Sequence, residues 1–443
     1  MTTTPPRVPS RAIDAARALP EFQARKVTAH DIRRTADAML ASAPAKGFVP
    51  EVESLRGLAI LMVVLHHLDG MLTAKLAAGG HAVGLLRAFV AGGQTGVSLF
   101  FVLSAFCLSL PIFPAATRGE RFSTMSFHRR RVLRIIPAYW TAIVVGTVLT
   151  SASTADLGRA TAWMVFANSF SQVAAPIPPF SAVWWSLATE AQFYVLLPLL
   201  PYCLASRRGR RIGAAAVLLY SAAFVEYLFS AWPLGTTTAE LSLSHSVLAL
   251  APIFMTGVLA AALYASHGPA LRLRLAQSRL LSRGGADLLL LASLFGLGTL
   301  LRWLVWFGYY RAEQRAYFGW HVIEGLCWGS VLLLLLLAPL RSYRLFCNRA
   351  LAAVGRWSYS LYLVHLPVMV YTFHWLRLWR PGVFLTWNVQ TLAVAAAVVV
   401  MSVALSALTY RFIEKPFLDR KKRIGAAAPV RERPVRPLSP ATA

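Results

Sequence analysis

Residues 53–68 read Glu53-Ser54-Leu55-Arg56-Gly57-Leu58-Ala59-Ile60-Leu61-Met62-Val63-Val64-Leu65-His66-His67-Leu68. The run is long and apolar enough to open a membrane helix, yet it carries Arg56, His66 and His67, with Asp69 just beyond. Ionisable side chains inside a bilayer are costly, so each is by default a functional candidate. At ~100° per residue, the eleven steps from Arg56 to His67 return to the same helix face, about 16 Å further along the axis. His66 is turned away from that face by about 80°. A single intramembrane histidine also reads as a hydrogen-bonded packing residue. Sharing a face with Arg56 points His67 towards function.

Nine further apolar runs follow, near 95–115, 135–152, 183–204, 212–231, 245–266, 285–306, 319–340, 351–373 and 388–412. The chain has 443 residues, of which 57% are hydrophobic and only 14% charged. A soluble domain carries about a quarter charged residues, so the composition excludes a water-soluble globule. It equally excludes a disordered chain, which needs low hydrophobicity. Ten helices of ~20 residues account for most of such a length. The fold class expected is all-α, a polytopic bundle of about ten transmembrane helices.

The net charge of +26 lies in short clusters between the runs: Arg129 to Arg131, Arg207 to Arg211, Arg272 to Arg283, Arg341 to Arg349 and Arg420 to Arg423. Each follows an even-numbered run, as the positive-inside rule requires if both termini are cytoplasmic. Scattered clusters of this kind argue for topology and against a nucleic-acid partner. Residues 1–50 read as a polar cytoplasmic tail without a cleaved signal peptide, 51–418 as the membrane domain and 419–443 as a basic cytoplasmic tail. Residues 157–173 are moderately apolar, but an eleventh span there would place Arg207 to Arg211 outside. The neighbouring Ala175-Pro176-Ile177-Pro178-Pro179 suits an irregular connection, so 153–182 reads as an extracytoplasmic or re-entrant segment. Cys107, Cys203 and Cys327 lie in apolar runs and Cys347 in a basic loop, so no disulfide is expected.

The fourth run contains Trp184-Trp185-Ser186-Leu187-Ala188-Thr189-Glu190-Ala191-Gln192-Phe193-Tyr194. Ser186, Glu190 and Tyr194 are one turn apart on one face. A carboxylate there either clamps a cationic or phenolic partner to fix packing or serves chemistry. Arg131 and Arg134, also one turn apart, stand where the third run enters the membrane, a place suited to gripping phosphates. His321 and Glu324 share a face at i,i+3 and read as a structural pair more than a catalytic one. His-Glu-x-x-His, Cys-x-x-Cys, Walker and Gly-x-Ser-x-Gly patterns are absent, which leaves metalloprotease, P-loop and typical serine-hydrolase chemistry without support.

Taken in order, these motifs resemble the acyltransferase-3 family of integral membrane O-acyltransferases, from about Glu53 to Phe417. Arg56, ten residues, then His67 is similar to the family's opening motif. Phe100-Phe101-Val102-Leu103-Ser104-Ala105-Phe106 resembles its second-helix motif, Arg131-x-x-Arg134 before Pro137 its basic motif, and Trp185-Ser186 through Glu190 to Tyr194 its central one. Ser358-Tyr359-Ser360-Leu361-Tyr362-Leu363-Val364-His365 and Tyr410-Arg411-Phe412-Ile413-Glu414-Lys415-Pro416-Phe417 resemble the closing pair. Ala105 stands where the family usually has glycine, and Ser98 where it often has aspartate.

The resemblance implies transfer of an acyl group, most often acetyl, from cytoplasmic acyl-CoA to a hydroxyl of an envelope polysaccharide, lipid-linked glycan or related acceptor. In that reading Arg131 and Arg134 hold CoA phosphates and Arg56 assists. His67 is the base or an acyl-accepting nucleophile. Glu190 orients an imidazole or binds acceptor hydroxyls, and Ser186, Tyr194, Tyr362 and His365 line the substrate site. Acyl-CoA is a co-substrate; no bound cofactor and no metal are expected. The expected setting is the inner (plasma) membrane, with lipid around the bundle. A transporter or flippase of a lipid-linked sugar, using the same buried charges as a relay, is the alternative.

Overall fold

The computed structural model describes residues 49–73, 84–150, 154–167, 181–229, 243–306, 316–380 and 389–426. The tail up to residue 48, the proline-rich stretch 175–179 and residues 427–443 lie outside them. The described residues form helices and no strands. Ten long helices follow the ten apolar runs: α1 (Pro50–Thr73), α2 (Thr95–Ser109, continued by Ile112–Thr117), α3 (Thr124–Leu149), α4 (Trp185–Leu196, continued by Leu199–Ala205), α5 (Arg207–Phe229), α6 (Ala251–Gln277), α7 (Ala286–Trp306), α8 (Ala316–Leu337), α9 (Ser358–Trp379) and α10 (Val389–Thr409). Pro111 and Pro198 stand at the breaks in α2 and α4, where a ring without an N–H interrupts the hydrogen-bond ladder.

Among the described residues nine helices are long and apolar enough to cross a membrane. The one long helix outside that set is α9, whose 22 residues suffice in length but include the buried Ser358, Ser360 and His365. Its polarity marks it as lining the site. The segment 154–164 is an 11-residue helix, too short to span. It is tied to α3 by Tyr139, whose hydroxyl donates to the Trp163 carbonyl, and by Trp140, whose indole donates to that of Met164.

Long-range bonds sort the helix ends into two groups. At one end, Tyr343 donates to Glu51 near the start of α1, Arg272 near the end of α6 donates to the Leu336 carbonyl in α8, and Asp287 near the start of α7 accepts from Ser342. At the other, Arg87 pairs with Asp69 in the last part of α1, and Arg377 in the last part of α9 donates to the Met71 carbonyl. Successive long helices therefore run antiparallel, and every basic cluster inside the described residues falls at the first end. Small residues let the helices close up. A Cβ on Gly355 would meet the Glu53 carbonyl oxygen at 1.9 Å, and one on Gly57 the Leu351 oxygen at 2.0 Å. The short helix Arg349–Arg356 thus lies backbone against backbone on α1, holding Arg56 next to the start of α9.

Candidate active site

At the basic end a cavity of ≈ 120 Å³ opens between α1, α2, α3, α4 and α9. Arg56, Arg131 and Arg134 line one part of it; Ser186, Glu190, Tyr194 and Tyr362 line the rest. Residues 306 positions apart in the chain thus meet around one space, seven of them singled out by motif.

The three arginines are not equivalent. Arg134 Nη1 is ion-paired with Glu414 Oε1, whose side chain is 1% exposed, and Ser360 Oγ donates to the other carboxylate oxygen at 2.7 Å. Arg56 donates only to the Ser358 hydroxyl, from Nε at 3.3 Å and Nη2 at 3.1 Å. Arg131 lies against the rings of Phe127 and Tyr194, 5.9 and 5.8 Å from their centroids, and its Nε is buried without a hydrogen bond. Neither Arg56 nor Arg131 has a carboxylate within ion-pair distance among the described residues. The two uncompensated guanidiniums facing the cavity are therefore Arg56 and Arg131, while Arg134 is held by Glu414.

Deeper in the cavity, Ser104 Oγ donates to Glu190 Oε1 at 2.6 Å and lies 3.4 Å from the Tyr194 hydroxyl. The Tyr362 hydroxyl gives its proton to the Val183 carbonyl and accepts from Ser186 Oγ at 2.8 Å. Among the described residues Glu190 has no imidazole hydrogen-bond partner, and it faces the cavity. Ser104 and Ser358 were quoted within motifs but not as site residues, and Glu414 likewise. Their partners lie 86, 302 and 280 residues away, so no local pattern announced them.

His67 and His365 do not line this cavity. They stand behind it, joined to its wall by a short aromatic chain. The Tyr362 and His365 rings are 5.8 Å apart, and those of His365 and His67 are 5.2 Å apart, edge to face. Arg56 and His67 share a face of α1 but are not brought to one cavity, because Tyr362 and His365 of α9 pack beside α1 between the cavity and His67. Each imidazole is oriented by its own backbone: His67 Nδ1 sits 2.8 Å from the Val63 carbonyl and His365 Nδ1 3.0 Å from that of Leu361. A carbonyl fixes Nδ1 as the protonated nitrogen and leaves the lone pair on Nε2. The His66 Nδ1 meets the Ala91 carbonyl, while its ring lies edge to face against that of His67 with centroids 5.0 Å apart.

A helical bundle with unpaired guanidiniums at one end and tautomer-fixed imidazoles further in defines a polytopic membrane enzyme. The chain belongs to the acyltransferase-3 family, whose acyltransferase-domain model matches residues 49–411. It is 26% identical over 392 residues to a Komagataeibacter xylinus protein that bears the name membrane-bound transacylase BcsY, covering 85% of each chain. It is 25% identical over 396 residues to the peptidoglycan O-acetyltransferase OatA of Listeria monocytogenes, covering 84% of this chain but 56% of that one. The O-acetyltransferase OatA of Staphylococcus aureus is 27% identical over 167 residues, 34% of this chain and 24% of that protein. The chain thus spans only about half or less of the two OatA proteins. No solved structure matches it.

Proposed function

We propose that this acyltransferase takes an acyl group, acetyl in the first instance, from acyl-CoA at the cytoplasmic face and transfers it to a hydroxyl of an envelope polysaccharide or lipid-linked glycan. The observation that carries this reading is the pair Arg56 and Arg131: two cations on one cavity with no carboxylate at ion-pair distance among the described residues. Both guanidiniums face the cavity, partly shielded from solvent, and the phosphates of a CoA-type donor would supply their counter-ions. In this reading the basic end faces the cytoplasm, where acyl-CoA resides, as the charge rule favours, with both termini inside and the protein in the inner membrane.

The residues then divide the work. Arg56 and Arg131 hold the donor phosphates, and Arg134, fixed by Glu414, shapes the mouth. The acyl-thioester arm extends past Glu190 and Ser104 towards Tyr362. His67 Nε2 takes the proton of the acceptor hydroxyl as its oxygen bonds to the thioester carbonyl carbon. The C–S bond then breaks, and the CoA thiolate recovers the proton. Glu190 and Ser186 bind hydroxyls or the pantetheine amides, and His365 supports the His67 ring. A flippase would offer the same arginines to the phosphate of a lipid-linked sugar; release of CoA distinguishes the two. The test is purified protein with radiolabelled acetyl-CoA. Release of CoA with label moved to a glycan acceptor is the expected result. Sugar movement without CoA release would favour the flippase.

A further inference from the structure

Beside the arginine-lined cavity lies a second, smaller one of ≈ 40 Å³, towards the opposite end of the bundle. It borders the starts of α2, α4 and α8 and the last part of α7. Its polar lining is Gln94, Ser98, His321 and Glu324, and its aromatic lining includes Trp185 and Trp320; no lysine or arginine lines it. Val97 and Phe101 line both cavities. Phe101 is held in place by stacking on Phe254, with centroids 4.6 Å apart.

The carboxylate here is already committed. Glu324 accepts from Thr95 Oγ1, and its other oxygen lies 3.3 Å from His321 Nδ1; Thr95 in turn accepts from the Trp328 indole at 2.8 Å. This network fixes the His321 ring and leaves no free anion to attract a cation. Gln94 Oε1, by contrast, is buried with no hydrogen-bond partner among the described residues. An unsatisfied buried amide oxygen costs free energy unless a donor reaches it. The two neighbouring cavities therefore differ in chemistry. One is lined by arginines, while the other holds no lysine or arginine, is aromatic and is supplied with carboxylate, amide, hydroxyl and imidazole groups. Indole faces and neutral hydrogen-bonding groups are what a sugar presents its C–H faces and hydroxyls to.

We infer that this second cavity is the acceptor subsite and takes the hydroxyl-bearing edge of a neutral sugar. The inference rests on the acyl-transfer reading above. The volume holds about three water-sized groups, which suits a hydroxymethyl arm, with the ring against Trp185 or Trp320. Gln94 Oε1 accepts from one hydroxyl, and Phe101 and Val97 bound the subsite on the side of the donor cavity.

The test uses the full chain in nanodiscs, with acetyl-CoA as donor and cellotetraose and chitotetraose as acceptors. Ser98→Val and Ser98→Thr differ only in keeping a hydroxyl, and Trp320→Leu and Trp320→Phe only in keeping an aromatic face. For whichever oligosaccharide is acetylated, Ser98→Val and Trp320→Leu are expected to raise the acceptor KM about tenfold, at least fivefold more than the donor KM, with Thr and Phe restoring most of the loss. Saturation-transfer NMR of each oligosaccharide, without donor, reads binding separately from turnover. Equal effects of Val and Thr, parallel rises in both KM values, or no binding of either oligosaccharide would overturn the subsite. If the wild-type protein binds oligosaccharide in a Ser98-dependent way but never consumes acetyl-CoA, the acyl-CoA reading falls and the sugar subsite stands.

Discussion

Arg131 and Arg134 stand one turn apart on α3, yet only Arg131 is left with charge to offer a ligand. Spacing alone made them equal; the difference comes from Glu414, which reaches Arg134 from the far end of the sequence. Charge-assisted hydrogen bonds are worth about 1.5–3 kcal/mol, or roughly 10–100-fold in binding. Arg131→Ala and Arg56→Ala are accordingly expected to raise the acetyl-CoA KM within that range. Lysine should restore only part of it, because the planar fork is lost. Steady-state kinetics at fixed acceptor concentration measures this. Cys107 offers an independent probe, since it lines the same cavity. Treatment with N-ethylmaleimide should inactivate the enzyme, saturating acetyl-CoA should protect it, and Cys107→Ala should be resistant. Inactivation that donor does not slow would place the donor elsewhere.

At the scale of elements, α9 and the π turn Tyr410–Glu414 after α10 decide the geometry. The turn carries Glu414 into the bundle, 2% exposed, where it binds Arg134 and Ser360. Removing one member of a buried ion pair costs about 3–5 kcal/mol because the other is stranded. Glu414→Ala should therefore lower the thermal midpoint in detergent clearly more than the double change Arg134→Met with Glu414→Leu, which leaves no stranded charge. A glycine contact tests the other support of the site. Gly355→Val, pushing side-chain atoms into the Glu53 carbonyl, is expected to abolish folded protein in size-exclusion chromatography, while Gly158→Ala, with open space around its Cβ position, should be tolerated. All ten helices were legible from apolar length and the placement of arginines, including the relation of His66 and His67, since that depends only on helical geometry within one run. The partition of the site was not legible. It arises from contacts such as Tyr362 with Ser186, 176 residues apart, and such a pairing leaves no periodic trace.

Over the whole molecule, the cavity lined by Arg56, Arg131 and Arg134 lies at one end and the aromatic cavity towards the other. Transfer across the bilayer requires a charged donor that stays on one face and an acceptor that enters from the other. Reporter fusions after residues 150 and 209 should read outside and inside respectively. A common side for both would break the antiparallel sequence of α3, α4 and α5. The decisive experiment supplies labelled acetyl-CoA to sealed inverted membrane vesicles carrying wild-type, His67→Ala or His66→Ala protein at matched levels. A general base contributes typically 10²–10⁴-fold, so His67→Ala should lose about that much acceptor labelling, while His66→Ala keeps turnover within about tenfold of wild type. Labelling that survives in His67→Ala but vanishes in His66→Ala, or that appears only when donor is supplied to the opposite face, would contradict the assignment.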